Sequence, residues 1–352
     1  MRSEGTGGCG SVLRPYIILG FMAVLTLPVT LWGGLEISTV QAAVEATSKS
    51  QANKSFANPQ LLYSLHGHAG TVKSLAFSPD SKILASGGAE NEGVIRLWNL
   101  KNGARVGTIR KAHKTGVESL VISPDGQTLV SCSSDRTINL WNLKTQKFSR
   151  SFVDHTSNVM SLAISADSKL LISGALDGIR LWDLRQQRPL STLVRFDNSI
   201  YTVAISPDGQ TLVSGDSQGV IKLWNLSTGK LIREIVAHSQ IVSTVAFTPD
   251  GESVISASRD RTIKIWHTNN GELIRTLTGH NNWVNAIAIN RDGQTLASAG
   301  RDGVKLWNIT TGELVTTLEK HTDWVSAIAF SPDGQFLASG GFDKTINVWR
   351  SR

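Results

Sequence analysis

Residues 241–277 read IVSTVAFTPDGESVISASRDRTIKIWHTNNGELIRTL, and they decide the fold. Four short segments, Ile241–Phe247, Ser253–Ser256, Thr262–Trp266 and Glu272–Leu277, alternate with turn-forming residues. The Pro-Asp-Gly sequence after the first segment suits a type I turn, because proline presets φ and glycine closes the turn. The stretch therefore predicts four short antiparallel β-strands joined by tight turns.

The same unit recurs along the chain at a nearly constant period. One tryptophan ends the third strand of each copy, and successive tryptophans of this set lie 41 to 43 residues apart. A single sheet of such strands cannot bury both faces, whereas sheets stacked around an axis can. We therefore predict an all-β fold, a seven-bladed β-propeller of four-stranded antiparallel blades, over residues 59–352. The repeated tryptophans are Trp98, Trp141, Trp182, Trp224, Trp266, Trp307 and Trp349.

The seventh copy lacks a fourth strand after its tryptophan, Trp349. The segment Leu61–Leu65 precedes the first copy and has the composition of a strand. We expect this N-terminal strand to pair with the last blade, which closes the ring and removes its open sheet edges. We also expect the closed propeller to be monomeric.

These units resemble the WD-repeat family of β-propellers over residues 61–352. The Trp-Asp ending of that family is present at Trp182-Asp183, and its Gly-His pair is present at Gly67-His68 and Gly279-His280. The resemblance implies that a histidine, an aspartate, a serine of the second strand and the tryptophan form a buried hydrogen-bonded chain. The structural residues assigned in this way are His68, His113, His155, His238, His280, His321, Asp135, Asp177, Asp260, Asp302 and Asp343.

Two copies depart from this pattern. The first has Ser86 followed by Glu90 and two extra residues before Trp98. The fourth has Phe196 and Gln218 where histidine and aspartate are expected. The pattern therefore does not predict a complete hydrogen-bonded chain in these two copies.

The histidines and aspartates raise the question of catalysis or metal binding. Six of the eight histidines occupy one repeat position, so a structural role accounts for them. No metal-ligand spacing of the HxxxH or CxxC type occurs, and two cysteines exclude a disulfide framework. We therefore expect no catalytic residue, no metal and no cofactor.

The resemblance implies a non-enzymatic scaffold for a protein or peptide partner, because propellers present loop ends on a rigid disc. The alternative is a small-ligand binder or an enzyme that uses the central channel. That alternative needs titratable groups on the innermost strands, which offer mostly apolar side chains and serine, with Lys73 and Glu118 as exceptions. The net charge is +7, a mild basic balance that is more typical of a solvated surface than of a nucleic-acid-binding face. We therefore expect no nucleic-acid partner.

Large aromatic and basic residues concentrate in copies five to seven, which are adjacent. In a meander of strands, the loop before the first strand and the turn after the second strand lie at the same end of the blade. We therefore predict a partner-binding site at the channel mouth, because tryptophan and arginine are enriched at binding hot spots. The alternative is that the tryptophans only cover the core between blades. The predicted site residues are Trp283, Trp324, Phe342, Arg259 and Arg301.

The first sixty residues contain an uncharged apolar run, residues 15–32, preceded by Arg14. One interpretation of residues 1–42 is a secretory signal peptide cleaved near Ala42, after the small residues of Val40-Gln41-Ala42. The other is an uncleaved membrane anchor, in which case the chain meets a membrane only through residues 15–32. A buried helix of the fold is disfavoured, because the repeat array that follows is complete. Both favoured interpretations place the propeller outside the compartment of synthesis (periplasmic, lumenal or extracellular), after a flexible linker at residues 43–58.

Overall fold

The computed structural model describes residue 56 and residues 58–89, 92–195 and 199–351. The predicted signal or anchor segment, residues 1–42, lies outside the described residues, as do residues 43–55 and 57 of the predicted linker. Within the described ranges, 28 β-strands form seven four-stranded antiparallel sheets, which confirms the seven-bladed propeller. Among these residues there is no helix with the length and apolar character needed to span a bilayer.

The seven blades follow one another in chain order. Blade 1 comprises β2 (Val72–Phe77), β3 (Ile83–Gly88), β4 (Ile95–Asn99) and β5 (Arg105–Ile109). Blade 2 comprises β6 (Val117–Ile122), β7 (Thr128–Ser133), β8 (Ile138–Asn142) and β9 (Phe148–Phe152). Blade 3 comprises β10 (Val159–Ile164), β11 (Leu170–Ala175), β12 (Gly178–Asp183) and β13 (Arg188–Arg195). Blade 4 comprises β14 (Ile200–Ile205), β15 (Thr211–Asp216), β16 (Val220–Asn225) and β17 (Leu231–Val236). Blade 5 comprises β18 (Val242–Phe247), β19 (Ser253–Ser258), β20 (Ile263–His267) and β21 (Leu273–Leu277). Blade 6 comprises β22 (Val284–Ile289), β23 (Thr295–Gly300), β24 (Gly303–Asn308) and β25 (Leu314–Leu318). Blade 7 comprises β26 (Val325–Phe330), β27 (Phe336–Gly341), β28 (Thr345–Arg350) and the N-terminal strand β1 (Gln60–His66).

Burial is greatest in the two middle strands of each blade and lowest at the rim of the disc. The first strands of neighbouring blades contact one another around a complete ring, so they line the centre. The second strand is the most buried; in blade 5, five of the six residues of β19 are buried. The fourth strand is outermost, and Leu273 of β21 is 49% exposed. The apolar core therefore lies between successive blades rather than within one blade.

Small residues in the second strand allow the blades to approach each other. A Cβ atom added at Gly215 of β15 would lie 2.6 Å from Cγ1 of Val242 in the next blade. Val242 is completely buried in the core between blades 4 and 5. Close contact of this kind requires glycine at position 215.

The ring closes as predicted. Strand β1 pairs with β28 in an antiparallel ladder from Gln60, opposite Arg350, to His66, opposite Thr345. Leu65 of β1 is 5% exposed and packs in the core between blades 7 and 1. The N-terminal strand therefore completes the sheet that holds the last repeat.

One residue before β1 is also part of the core. The side chain of Phe56 has no exposed surface, and its ring lies 5.2 Å from that of Phe330 in an edge-to-face arrangement. It packs among residues of blades 6 and 7. The packed core therefore includes a position inside the range, 43–58, that the sequence assigned to the linker.

The two ends of the disc carry different connections. One end carries the loop before each first strand and the turn between the second and third strands, and we call it the His–Asp end. The opposite end carries the turns between the first and second strands and between the third and fourth strands. Gln60 of β1 pairs with the residue that ends β28, so the chain enters the propeller at this opposite end.

Candidate functional site

The His–Asp end contains a hydrogen-bonded chain, which blade 5 shows completely. Trp266 Nε1 donates to Ser256 Oγ at 2.9 Å, and Ser256 Oγ lies 2.8 Å from His238 Nε2. On the other side of the ring, His238 Nδ1 lies 2.9 Å from Asp260 Oδ2. A carboxylate only accepts hydrogen bonds, so Nδ1 carries the proton and Nε2 accepts the hydroxyl proton of the serine. The chain connects two loops of this end to the second and third strands.

The same arrangement recurs in blades 2, 3, 6 and 7. Across these blades and blade 5, the histidine Nδ1 lies 2.6–3.2 Å from the nearest aspartate oxygen, and Nε2 lies 2.7–2.8 Å from the serine hydroxyl. The structure therefore brings together the histidine and aspartate of five repeats. The pairs are His113–Asp135, His155–Asp177, His238–Asp260, His280–Asp302 and His321–Asp343.

Blade 1 completes the chain with a glutamate. His68 lies 2.9 Å from Glu92 through Nδ1 and 2.8 Å from Ser86 through Nε2, and Trp98 donates to the same serine at 2.8 Å. The sequence pattern, which placed Glu90 at the acidic position, did not predict this chain and was wrong on this point. Glu92 lies six positions before the tryptophan, as the aspartate of blade 5 does, so counting back from the tryptophan identifies it.

Blade 4 has no such chain among its described residues. Asp216 accepts hydrogen bonds from two backbone N–H groups of the following turn, at 2.9 Å each. Trp224 still donates to Ser214, at 3.0 Å. Phe196, at the histidine position, lies outside the described residues. The turn of blade 4 is therefore held by hydrogen bonds from its own backbone to the Asp216 carboxylate.

A second feature of this end is a group of aromatic and arginine side chains. The rings of Trp283 and Trp324 lie 5.4 Å apart at an angle of 53°. The guanidinium of Arg259 lies 4.7 Å from the ring centre of Trp283 and 5.9 Å from that of Tyr201, and Arg301 lies 5.9 Å from the ring centre of Trp324. These are cation–π distances. The five side chains form one continuous row of contacts across blades 4 to 7.

Strand geometry explains why these residues meet. Both tryptophans immediately precede the first strand of their blade, and both arginines immediately follow the second strand. Tyr201 lies at a shift of register between β14 and β15, and a bulge of this kind redirects the side chain. The stack therefore lies at the inner edge of the His–Asp end.

Phe342 extends this surface in blade 7. Its backbone N–H donates to the carbonyl of Trp324 at 2.8 Å, and its side chain is 47% exposed. Trp283 is 41% exposed, and Trp324 is partly exposed. We call these six residues the aromatic–arginine cluster: Tyr201, Arg259, Trp283, Arg301, Trp324 and Phe342.

Comparison with protein families identifies the repeat. The family model described as WD domain, G-beta repeat (WD40) matches seven segments of the chain. The chain belongs to the WD40-repeat family. The matched segments are residues 59–99, 103–142, 146–183, 187–225, 229–267, 271–308 and 312–350.

Two WD40 relatives illustrate how far the similarity reaches. Apoptotic protease-activating factor 1 of Homo sapiens is 34% identical over 119 residues, which cover 32% of this chain and 9% of that protein. The U3 small nucleolar RNA-associated protein 15 homolog of Xenopus tropicalis is 32% identical over 113 residues, which cover 32% of this chain and 21% of that protein. The matches therefore span only a small part of each relative.

One segment of this WD40 chain also fits a hydrolase pattern. Residues 215–219 read Gly-Asp-Ser-Gln-Gly, which matches the Gly-x-Ser-x-Gly sequence of nucleophile elbows. A nucleophile elbow is a strand-to-helix turn, whereas this segment connects β15 to β16 within one blade. Its geometry therefore does not support a serine nucleophile. Within the described residues, no group of three or more His, Cys, Asp or Glu side chains could hold a metal ion.

The pKa values of the buried WD40 histidines predict a dependence of stability on pH. Burial lowers the pKa of His68, His155, His238 and His280 below the ordinary value, so they resist protonation in the folded chain. In the unfolded chain these histidines take up protons near pH 6.5 and below. The unfolded chain then binds more protons than the folded chain, so the free energy of unfolding falls as the pH is lowered. We expect the melting temperature to fall between pH 7.5 and pH 5.0. An unchanged or higher value at pH 5.0 would contradict neutral buried histidines.

Removing one carboxylate of the chain is expected to destabilise the WD40 fold. Burial alone would raise the pKa of Asp260, but hydrogen bonds from Thr262 and interaction with His238 hold it below its ordinary value. Asp260→Ala leaves these donors unpaired, so we expect the free energy of unfolding to fall by roughly 1–3 kcal/mol. Denaturant titration measures this change. The control is Asp154→Ala at an exposed position, and equal stability of the two variants would contradict the role of the chain.

Proposed function

We propose that this chain is an exported, non-enzymatic WD40 scaffold that binds a protein or peptide partner through the aromatic–arginine cluster. The observation that carries the proposal is the exposure of a preorganised aromatic stack at one end of a rigid disc. Trp283, 41% exposed, contacts both Arg259 and Trp324. A rigid, partly exposed tryptophan offers a large contact area with little loss of conformational entropy on binding.

The titratable groups near the channel in blades 1 and 2 support a binding role over catalysis. Lys73 Nζ lies 2.8 Å from Glu118 Oε1, and Ser134 donates to the same glutamate oxygen at 2.7 Å. These groups therefore satisfy each other instead of converging on a reacting atom. The relatives are named for activating a protease and for association with a small nucleolar RNA, so both names describe action with other macromolecules.

The double variant Trp283→Ala with Trp324→Ala tests the proposal. We expect it to fold but to lose the partner that crosslinked co-purification from the native host recovers with the parent chain. Truncation of hot-spot tryptophans typically weakens binding by about 2 kcal/mol or more each, or about thirtyfold. A matched control is Leu273→Ala with Ile274→Ala, which removes two exposed apolar side chains from the outer rim. Retention of the partner by the tryptophan variant would refute the proposed site.

The exported location is a separate part of the proposal. It is supported by the uncharged apolar run at residues 15–32 and by the small residues Val40 and Ala42 at the −3 and −1 positions of a cleavage site. Subcellular fractionation followed by N-terminal sequencing of the mature protein tests it. We expect the propeller outside the compartment of synthesis, with residue 43 as the new N-terminus if the segment is cleaved. Recovery of the chain inside that compartment, with an intact N-terminus, would contradict export.

A further inference from the structure

The two arginines of the aromatic–arginine cluster lack an anionic partner. Among the described residues, the side chains of Arg259 and Arg301 form no ion pair and donate no hydrogen bond. Their contacts are with aromatic ring faces: Tyr201 and Trp283 for Arg259, and Trp324 for Arg301. A stacked guanidinium keeps its N–H groups in its own plane, where they can bind a carboxylate in a bidentate manner.

The opposite side of the channel mouth is different. In blades 1 and 2, Lys73 and Glu118 neutralise each other at 2.8 Å. Within the aromatic–arginine cluster, the two guanidinium groups without an ion pair belong to blades 5 and 6, and they lie next to the partly exposed rings of Trp283 and Trp324. This asymmetry indicates where an anionic group is attracted and where an apolar group can pack.

The stack also disfavours a cationic ligand. An aromatic cage binds a methylated ammonium group through free ring faces. Here guanidinium groups already lie against Trp283 and Trp324. A second cation would meet both an occupied ring face and a like charge. The chemistry of the cluster therefore favours an anion.

We propose that the partner segment is an acidic peptide, whose carboxylates bind Arg259 and Arg301 and whose aromatic or large apolar side chain packs on Trp283, Trp324 and Phe342. This inference rests on the proposed function, namely that the His–Asp end binds a protein partner. A nucleic acid is the other polyanion that arginine and tryptophan can bind. It is disfavoured because nucleic-acid sites carry a stripe of basic residues, whereas the aromatic–arginine cluster contains only two basic residues, Arg259 and Arg301.

The test uses the full-length chain and an array of fluorescent ten-residue peptides. Each peptide has a central phenylalanine and two variable residues, which are both glutamate, both glutamine or both lysine. The array contains every spacing of these two residues from the phenylalanine. A single-stranded RNA ten-mer is the fourth probe. Fluorescence anisotropy at low and high salt gives the affinities. We expect the best glutamate peptide to bind at least about tenfold more tightly than its glutamine counterpart, and this ratio to decrease with salt.

Two variants assign the preference to residues. Arg259→Gln with Arg301→Gln is expected to abolish the preference for glutamate, whereas the control Arg261→Gln, at an exposed neighbouring position, is expected to retain it. Equal binding of glutamate and glutamine peptides, tighter binding of the lysine peptide or of the RNA, or no binding of any probe would overturn the inference. The proposed function fails separately, if the variant Trp283→Ala with Trp324→Ala keeps its crosslinked partner.

Discussion

A chain that lacks residues 59–66 is expected to show no cooperative unfolding transition and to aggregate. The deletion removes β1, so β28 loses its partner strand and the last blade keeps an open edge. It also removes Leu65, which is 5% exposed, and loss of one such side chain typically costs about 2–5 kcal/mol. Because the whole stability of a domain is about 5–15 kcal/mol, the remaining strands are not expected to hold the ring closed. Circular dichroism during heating and size-exclusion chromatography measure the outcome.

Two controls separate strand loss from chain shortening. Deletion of residues 43–50 leaves Phe56 and β1 in place, and it is expected to keep the melting temperature. A synthetic peptide of residues 56–66, FANPQLLYSLH, is expected to restore a soluble monomer when it is added during refolding of the chain that lacks residues 59–66. A truncated chain with the same melting temperature as the parent would disprove closure by β1.

The fold could be predicted from sequence because each of its determinants is local and repeated. The third-strand tryptophans and the turns after the first strands fix strand length and order, and the missing fourth strand after Trp349 indicates the closing segment. The packing of Phe56 between blades 6 and 7 could not be predicted, because no repeat position corresponds to it. Repetition identifies what seven units share and does not show what one unit does alone.

The arrangement of the predicted site residues could be predicted to a similar extent, whereas their role in binding a partner stays a prediction. Strand order alone placed Trp283, Trp324 and the two arginines at one end of neighbouring blades. The role of Glu92 depended on two inserted residues, and it followed only from counting back from Trp98. The contact of Arg259 with Tyr201 involves a β-bulge that recurs between the first and second strands of all seven blades and that the sequence pattern does not indicate. Contacts between blades therefore set the limit of sequence reasoning here.

Gly178→Ala is expected to be the most destabilising single substitution considered, because the glycine lies where the aspartate turn of blade 3 meets the fourth strand. Ala175 pairs with Gly178, so Leu176 and Asp177 alone form the turn. Gly178 has φ of 125°, and a Cβ atom there would lie 2.0 Å from the carbonyl oxygen of Val194. Rotation of a side chain cannot relieve this clash, because the neighbouring atom belongs to the backbone. Backbone strain and overpacking each cost about 1–3 kcal/mol, so we expect a loss of about 2–6 kcal/mol in the free energy of unfolding.

The matched control for this substitution is Gly209→Ala. Gly209 also has a positive φ, 72°, but no atom lies within 4 Å of its added Cβ. Gly209→Ala is therefore expected to cost only the free energy of placing alanine in a left-handed conformation, about 1–2 kcal/mol. Denaturant unfolding of both variants separates the steric cost from the conformational cost, since the two share the same change in side chain. If the two variants lose the same stability, the close approach of the turn to Val194 does not determine the packing of blade 3. Hydrogen bonds alone must then hold Asp177 beside His155.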